Sequence, residues 1–326
     1  MRRRTVIAGG LPWVLSGWPS AAGAQTRGHV VAFWPFSESD AEGRALAAAF
    51  HGALRDRGQG DLPIEDRWDG ADPERTRALA AELVARQPRV IFTYLSAQLS
   101  AVSALTRDIP IVFVGASNPV GFGYAVSLQR PGGNITGFTL YEPRLGGKWL
   151  AALKEAVPTL RRVTLLSNPS TVVKGDNLYA EHFQATAASL GIEPTVVKVE
   201  TADAIEPVIA DLARQGQAGI IVAPGTFSEA NGDRIVALAA SHRIPAVFAI
   251  QRFARRGGLM SYGPDPVEVV RRAAAYVDRI LHGDNPASLP IQAPTKFDFI
   301  VNLKTARSLG VDIASPLLAQ ADEIVE

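Results

Sequence analysis

The chain has 326 residues, 33 basic against 32 acidic, no cysteine, and 47% hydrophobic against 20% charged residues. That balance excludes an electrostatic nucleic-acid or anionic-bilayer binder, and the missing thiols exclude disulfides, thiol catalysis, thiolate metal sites and a cysteine-linked lipid anchor. The length suffices for two ordinary cores, and no second apolar stretch is long enough for a membrane span.

Residues 1–24 have the order of a secretory signal: Arg2-Arg3-Arg4, a short apolar run from Val6 to Leu15, and the small residues Ala22-Gly23-Ala24. Cleavage is expected after Ala24, with Sec export, or Tat export through the approximate twin-arginine pattern, to the periplasm. Losing three arginines would leave the mature chain weakly acidic.

Short apolar runs then alternate with helical patterns. Val30–Trp34 predicts a strand; Leu46, Phe50 and Leu54 mark a helix face; the segment around Glu65–Trp68 predicts a short strand, followed by a helix carrying Leu79, Leu83 and Val84. Val90–Tyr94 and Ile111–Gly115 are nearly continuous apolar runs, as parallel strands covered on both faces require, with a helix through Ala101 and Leu105 between them. After the Gly/Pro-rich passage Arg130–Gly137 the alternation restarts: a helix with Trp149, Leu150 and Leu153, strands at Arg162–Leu166, Thr195–Val199, Ile220–Ala223 and Ala246–Ala249, and helices between. Leu259–Tyr262, a helix over 267–282 and Phe297–Val301 remain. The predicted fold is therefore α/β, two Rossmann-like lobes with parallel central sheets, hinged by crossover strands. The first lobe is assigned 28–140 plus about 259–285, the second 141–257, and 286–326 is a return segment that periodicity does not assign.

Several segments together are similar to one family. Ile111–Val114 leading to Asn118-Pro119-Val120, Arg130–Gly137, Gly257–Gly263, Leu289–Gln292, Pro294–Phe297 and Ile300–Ala306, with the export segment, resemble the ABC-transporter substrate-binding proteins, TrpX-like members among them. The resemblance implies a type I periplasmic binding fold closing around a small solute, and an ABC permease in the inner membrane as partner. Some relatives are associated with aromatic amino acids, which does not fix the ligand.

Candidate ligand contacts are sought in the loops after the strands, where backbone N–H groups and helix starts face a cleft. Trp34 and Phe36 follow the first strand and offer an aromatic wall or ordinary core; Tyr94 and Ser96 follow the third, Ser96 as donor or helix cap. Ser117 and Asn118 follow the fourth strand and offer directional polar contacts. In the second lobe Asn168, Thr226 and Phe227 hold corresponding positions, and Tyr262 is either a contact or hinge packing. Asp69 and Asp176 are the acids proposed for a ligand ammonium, against ordinary solvated carboxylates. The glycines around Asn134 lack dinucleotide-loop spacing and read as a turn into an interlobe strand.

The five histidines form no metal-binding pattern, and neither G-x-S-x-G nor G-x-x-x-x-G-K-[ST] occurs. The expectation is a monomeric, non-enzymatic receptor without cofactor or metal, binding a branched or aromatic amino acid. An exported α/β enzyme acting on a small carboxylate, and a sensory receptor for aromatic acids, are the competing readings.

Overall fold

The computed structural model describes residues 29–116, 118–167, 172–173 and 176–326, with backbone alone at Val172, Val173, Asp176 and Thr226. The leader expected at residues 1–24 lies outside them.

The first sheet collects β1 (Val30–Trp34), β2 (Ile64–Trp68), β3 (Val90–Tyr94), β4 (Ile111–Val114) and β5 (Ile135–Phe138) in the all-parallel order β2-β1-β3-β4-β5. The apolar runs of β1, β3 and β4 are buried throughout, because helices cover both faces: α1 (Ala41–Arg55), α2 (Pro73–Ala85) and α3 (Ser96–Ser103) connect the strands. Asp40 and Asp72 start α1 and α2 by accepting N–H bonds from Gly43 and Arg75, both at 2.8 Å. Glycine is required inside β5. At Gly137 φ is +150°, and an added Cβ would lie 2.0 Å from the Phe113 carbonyl oxygen on β4. The Gly/Pro-rich passage thus does lead into a strand, and β5 hands the chain to the other lobe.

The second lobe begins with α4 (Leu145–Ala156) and runs through β6 (Arg162–Ser167), the short pair β7 (Val172–Val173) and β8 (Asp176–Asn177), α5 (Ala180–Leu190), β9 (Glu193–Lys198), α6 (Ile205–Gln215), β10 (Ala218–Val222), α7 (Thr226–Ser241), β11 (Ala246–Phe248), α8 (Gln251–Arg255) and β12 (Met260–Pro264). After α9 (Pro266–Leu281) come β13 (Phe297–Asn302), α10 (Leu303–Leu309), α11 (Ser315–Leu318) and β14 (Glu323–Val325). The second sheet has the order β14-β13-β12-β11-β10-β6-β9, parallel except where β13 runs antiparallel to β12.

Here the structure departs from the expected division. The sequence pattern groups Leu259–Tyr262 with 259–285 in the first lobe, but β12 pairs with β11 in the second sheet. The helix that follows does belong to the first: α9 buries Val269, Val270, Ala273, Ala274 and Val277, and packs on α1, β3, β4 and β5. A strand has no intrinsic lobe preference in its apolar pattern, whereas its register partner decides where it sits. The return segment also divides. Gln292 N–H donates to the Gly137 carbonyl at 3.1 Å and the Gln292 carbonyl accepts from Thr139 N–H at 2.9 Å, placing this stretch beside β5; β13 and β14 then complete the second sheet.

The chain therefore crosses between lobes three times, after Phe138, after Pro264 and between Gln292 and Phe297. The last crossing is tied to α9: the Tyr276 hydroxyl donates to the Pro290 carbonyl at 2.8 Å and accepts from Gln292 Nε2 at 2.8 Å. Three adjacent connections restrict relative motion of the lobes to hinge bending.

Candidate functional site: the interlobe cleft

Tyr94, at the end of β3, shares one cavity with Glu229 of α7 and with Ile250 and Gln251 just after β11, and strand ends of this kind are where open α/β sheets bind ligands. Among the helices that follow such strand ends, α3 in the first lobe and α7 in the second start without a side-chain cap. The α3 start is preceded by Leu95, a non-glycine residue at φ +69°, ψ 169°; the α7 start is preceded by Gly225 at φ +142°. Such positive-φ conformations turn the chain sharply from strand to helix. Ser96 is the first residue of α3, half-buried, and its hydroxyl makes no hydrogen bond among the described residues.

That cavity, of about 510 Å³, opens between α1, the end of β3, the crossings, and α7 and α8; Glu42, Tyr94, Tyr141, Glu229, Arg252 and Asp298 are among its walls. Arg252 Nη1 donates to Glu42 Oε2 at 2.9 Å, while Nη2 donates to the Glu229 carbonyl oxygen at 3.1 Å and the guanidinium pairs with the Glu229 carboxylate. Burial pushes Glu229 up to about 7 in spite of Arg252, with Glu42 adding repulsion. Burial also opposes the charge on Arg252, but Glu229 and Glu42 outweigh it and hold the guanidinium firmly protonated. Burial, then the same two carboxylates, raise the Tyr94 phenol; burial and neighbouring Tyr94 raise that of Tyr141. Both phenols thus remain neutral groups able to donate a hydrogen bond.

On the other flank of Tyr141 lies a second cavity of about 540 Å³, with Asn118, Glu142, Arg144, His182 and Gln292 in its walls. Tyr141, on the first crossing, is common to both. Among the described residues there is no group of three or more His, Cys, Asp or Glu side chains that could hold a metal ion.

The structure distributes the nominated residues unevenly. Tyr94 lines the first cavity, Asn118 the second, and Ser96 and Thr226 open α3 and α7. Asn118 Oδ1 accepts from Gly121 N–H at 2.9 Å, so part of the side chain braces its own turn. Phe36 is nearly buried, its ring 5.8 Å from Tyr94. Phe227 is half-buried against the second-lobe core. Ser117 and Asn168 lie outside the described residues, as does the side chain of Asp176.

Three residues go elsewhere. Trp34 is wholly buried, its indole N–H donating to Asp66 at 2.9 Å and its ring packed among Phe50, Trp68 and Phe92, which leaves no face for a solute. Asp69 is not a solvated carboxylate but a buried internal one: it accepts from Ala71 N–H and Thr76 Oγ1 at 2.8 Å and Gln98 Nε2 at 2.7 Å. Tyr262 takes its hinge-packing role, stacked 5.7 Å from Phe297 with its backbone carbonyl bonded by Trp149 Nε1, and it lines neither cavity.

Sequence reading missed Glu42, Tyr141, Glu229 and Arg252. Glu42 and Arg252 are 210 positions apart. Nothing in local periodicity links them, although the strand-end rule would have reached Arg252, which follows β11 closely.

Two α/β lobes joined by three crossings around a cleft are the type I periplasmic binding fold. The chain belongs to the ABC transporter substrate binding protein family, whose sequence profile matches residues 39–325. It is 23% identical over 263 residues to a tyrosine-binding protein of Clostridioides difficile, covering 79% of this chain and 74% of that one. Among solved structures it is similar to an ABC domain from Streptococcus pneumonia in complex with L-Trp, with TM-score 0.81, 18% identity, and 91% and 100% of the two chains covered. It is also similar to the ligand-free, open form of a substrate-binding protein with adhesive properties from Clostridium difficile, with TM-score 0.68, 19% identity, and coverage of 91% and 99%.

Proposed function

We propose that this chain is the extracytoplasmic receptor of an ABC importer, exported to the periplasm by residues 1–24, and that it binds an amino acid, aromatic or branched, and delivers it unaltered to a membrane permease. The observation that carries the reading is the pair of uncapped helix starts, α3 in one lobe and α7 in the other, each within three residues of a wall of the same cavity, Tyr94 and Glu229. Their N–H groups, with the hydroxyls of Ser96, Ser117 and Thr226 and the amides of Asn118 and Asn168, suit a carboxylate. Tyr94 and Phe227 offer ring surface for an apolar side chain, and Asp176 is the nominated acid left for the ammonium, since Asp69 is engaged inside its lobe. The tyrosine-binding relative and the L-Trp complex support the aromatic class.

Mass spectrometry of solute released from purified protein identifies the ligand, and a thermal-shift series with L-tyrosine, L-tryptophan, L-leucine and aromatic acids lacking the amine ranks the classes. Stabilisation by the first three supports an amino-acid receptor. A preference for the amine-free acids would reject the ammonium contact, and conversion of the solute on incubation would favour an exported enzyme.

A further inference from the structure

Arg252 belongs to α8 and Glu229 to α7, both in the second lobe, whereas Glu42 sits in the first turn of α1 in the first lobe. Arg252 is fixed from within its own lobe: Glu229 binds it through carboxylate and carbonyl, and the guanidinium lies 4.5 Å from the Phe253 ring centroid. Its side chain is 13% exposed, that of Glu229 11% and that of Glu42 26%. Within the second lobe Glu229 thus compensates the guanidinium charge through two contacts of its own. Glu42 then adds a charge-assisted bond of 2.9 Å that joins the two lobes.

We propose that Glu42 and Arg252 are positioning residues for solute capture, an interlobe latch in which a cation prearranged on the second lobe takes hold of α1 as the lobes close and keeps a closed population in the absence of solute. The latch acts through the open–closed equilibrium, not by touching the solute. A receptor whose binding-competent state is more populated binds with correspondingly higher apparent affinity. The pair is also selective for geometry, because a planar guanidinium already committed to Glu229 leaves Nη1 in one direction for Glu42.

The chain has no cysteine, so two introduced ones report the interlobe distance without background. Glu74 and Asp203 suit nitroxide labels: both start helical segments at the cleft ends of their sheets, with side chains 86% and 97% exposed. Double electron–electron resonance is measured on Glu74→Cys/Asp203→Cys protein stripped of solute by denaturation and refolding, with and without Glu42→Gln. Glu42 is partly exposed at a helix start, and a thermal melt verifies that the variant is folded. The expected result is a shift to longer distances, with about a five-fold change in the open-to-closed ratio, the effect of roughly 1 kcal/mol. A folded variant with the parental distance distribution overturns the latch. No arm contains solute, so the result stands apart from the ligand assignment.

Discussion

Trp34 and Asp66 are joined across β1 and β2 by an indole N–H bond of 2.9 Å, with His51 Nε2 on the same carboxylate at 3.1 Å. The bond turns a residue at a ligand-facing strand end inward. Strand alternation puts Trp34 on the α1 side of the sheet, and the buried N–H has its acceptor in the neighbouring strand. Trp34→Phe is therefore expected to lower unfolding free energy by about 1–3 kcal/mol in urea titration. It should leave affinity for the recovered solute within about two-fold. A large affinity loss with little stability loss would return Trp34 to the binding surface.

Asp69 is expected to behave as a structural acid. Its carboxylate gathers three donors, from Ala71, Thr76 and Gln98, and so ties the loop after β2 to α2 and α3. Burial raises its pKa, although Gln98, Thr76, Ala71 and Arg75 all favour the charged form. Asp69→Ala strands those donors and should cost about 3 kcal/mol by chemical denaturation. Thr76→Val should cost about 1 kcal/mol, since it removes one donor and leaves two. Full stability in Asp69→Ala would contradict the network.

What the sequence made readable was what short-range patterns encode. The uninterrupted apolar runs at Val30–Trp34, Val90–Tyr94 and Ile111–Val114 specify strands buried on both faces, and their ends point to the cleft. The sheet to which Leu259–Tyr262 belongs depends instead on pairing with β11, a contact that no local pattern records. The same limit hid the Glu42–Arg252 pair. It also explains Trp34: an aromatic at a strand end looks alike whether it meets solute or the facing helix, and the choice rests on Asp66 in the next strand. Short elements such as α8 and α11 have too few residues for a helical period to emerge.

Glu229 gives the fold a definite pH signature. Its folded value of about 7 lies above the ordinary 4.5, because burial outweighs the attraction of Arg252. The folded protein therefore holds a proton that the unfolded chain releases. The associated stability is fully present below about pH 4.5 and is lost as pH rises towards 7. Over that window the contribution is at most about 3 kcal/mol. Glu229→Gln removes the titration, so the stability difference between parent and variant, followed by urea unfolding from pH 4.5 to 8, should move in favour of the variant as pH rises. A difference that stays flat would show that Glu229 titrates normally.

The hydroxyls of Ser96, Ser117 and Thr226 carry the sharpest expectation for recognition. Ser96 opens α3 and Thr226 opens α7, so both stand beside backbone N–H groups that no side chain caps. Helix-start amides remain after substitution and keep attracting an anion, whereas the hydroxyl contributes a separate bond whose loss leaves a desolvated carboxylate oxygen short of a donor. Each contact that is buried in the complex should be worth roughly 1.5–3 kcal/mol, or about 10- to 150-fold in Kd. Calorimetry on folded Ser96→Ala, Ser117→Ala and Thr226→Ala proteins measures this directly, and Thr226→Ser should retain affinity because it keeps the hydroxyl. If all three alanine variants bind the recovered solute like the parent, the carboxylate is held by other groups and the cleft must be reassigned, even though the chain remains a substrate-binding protein.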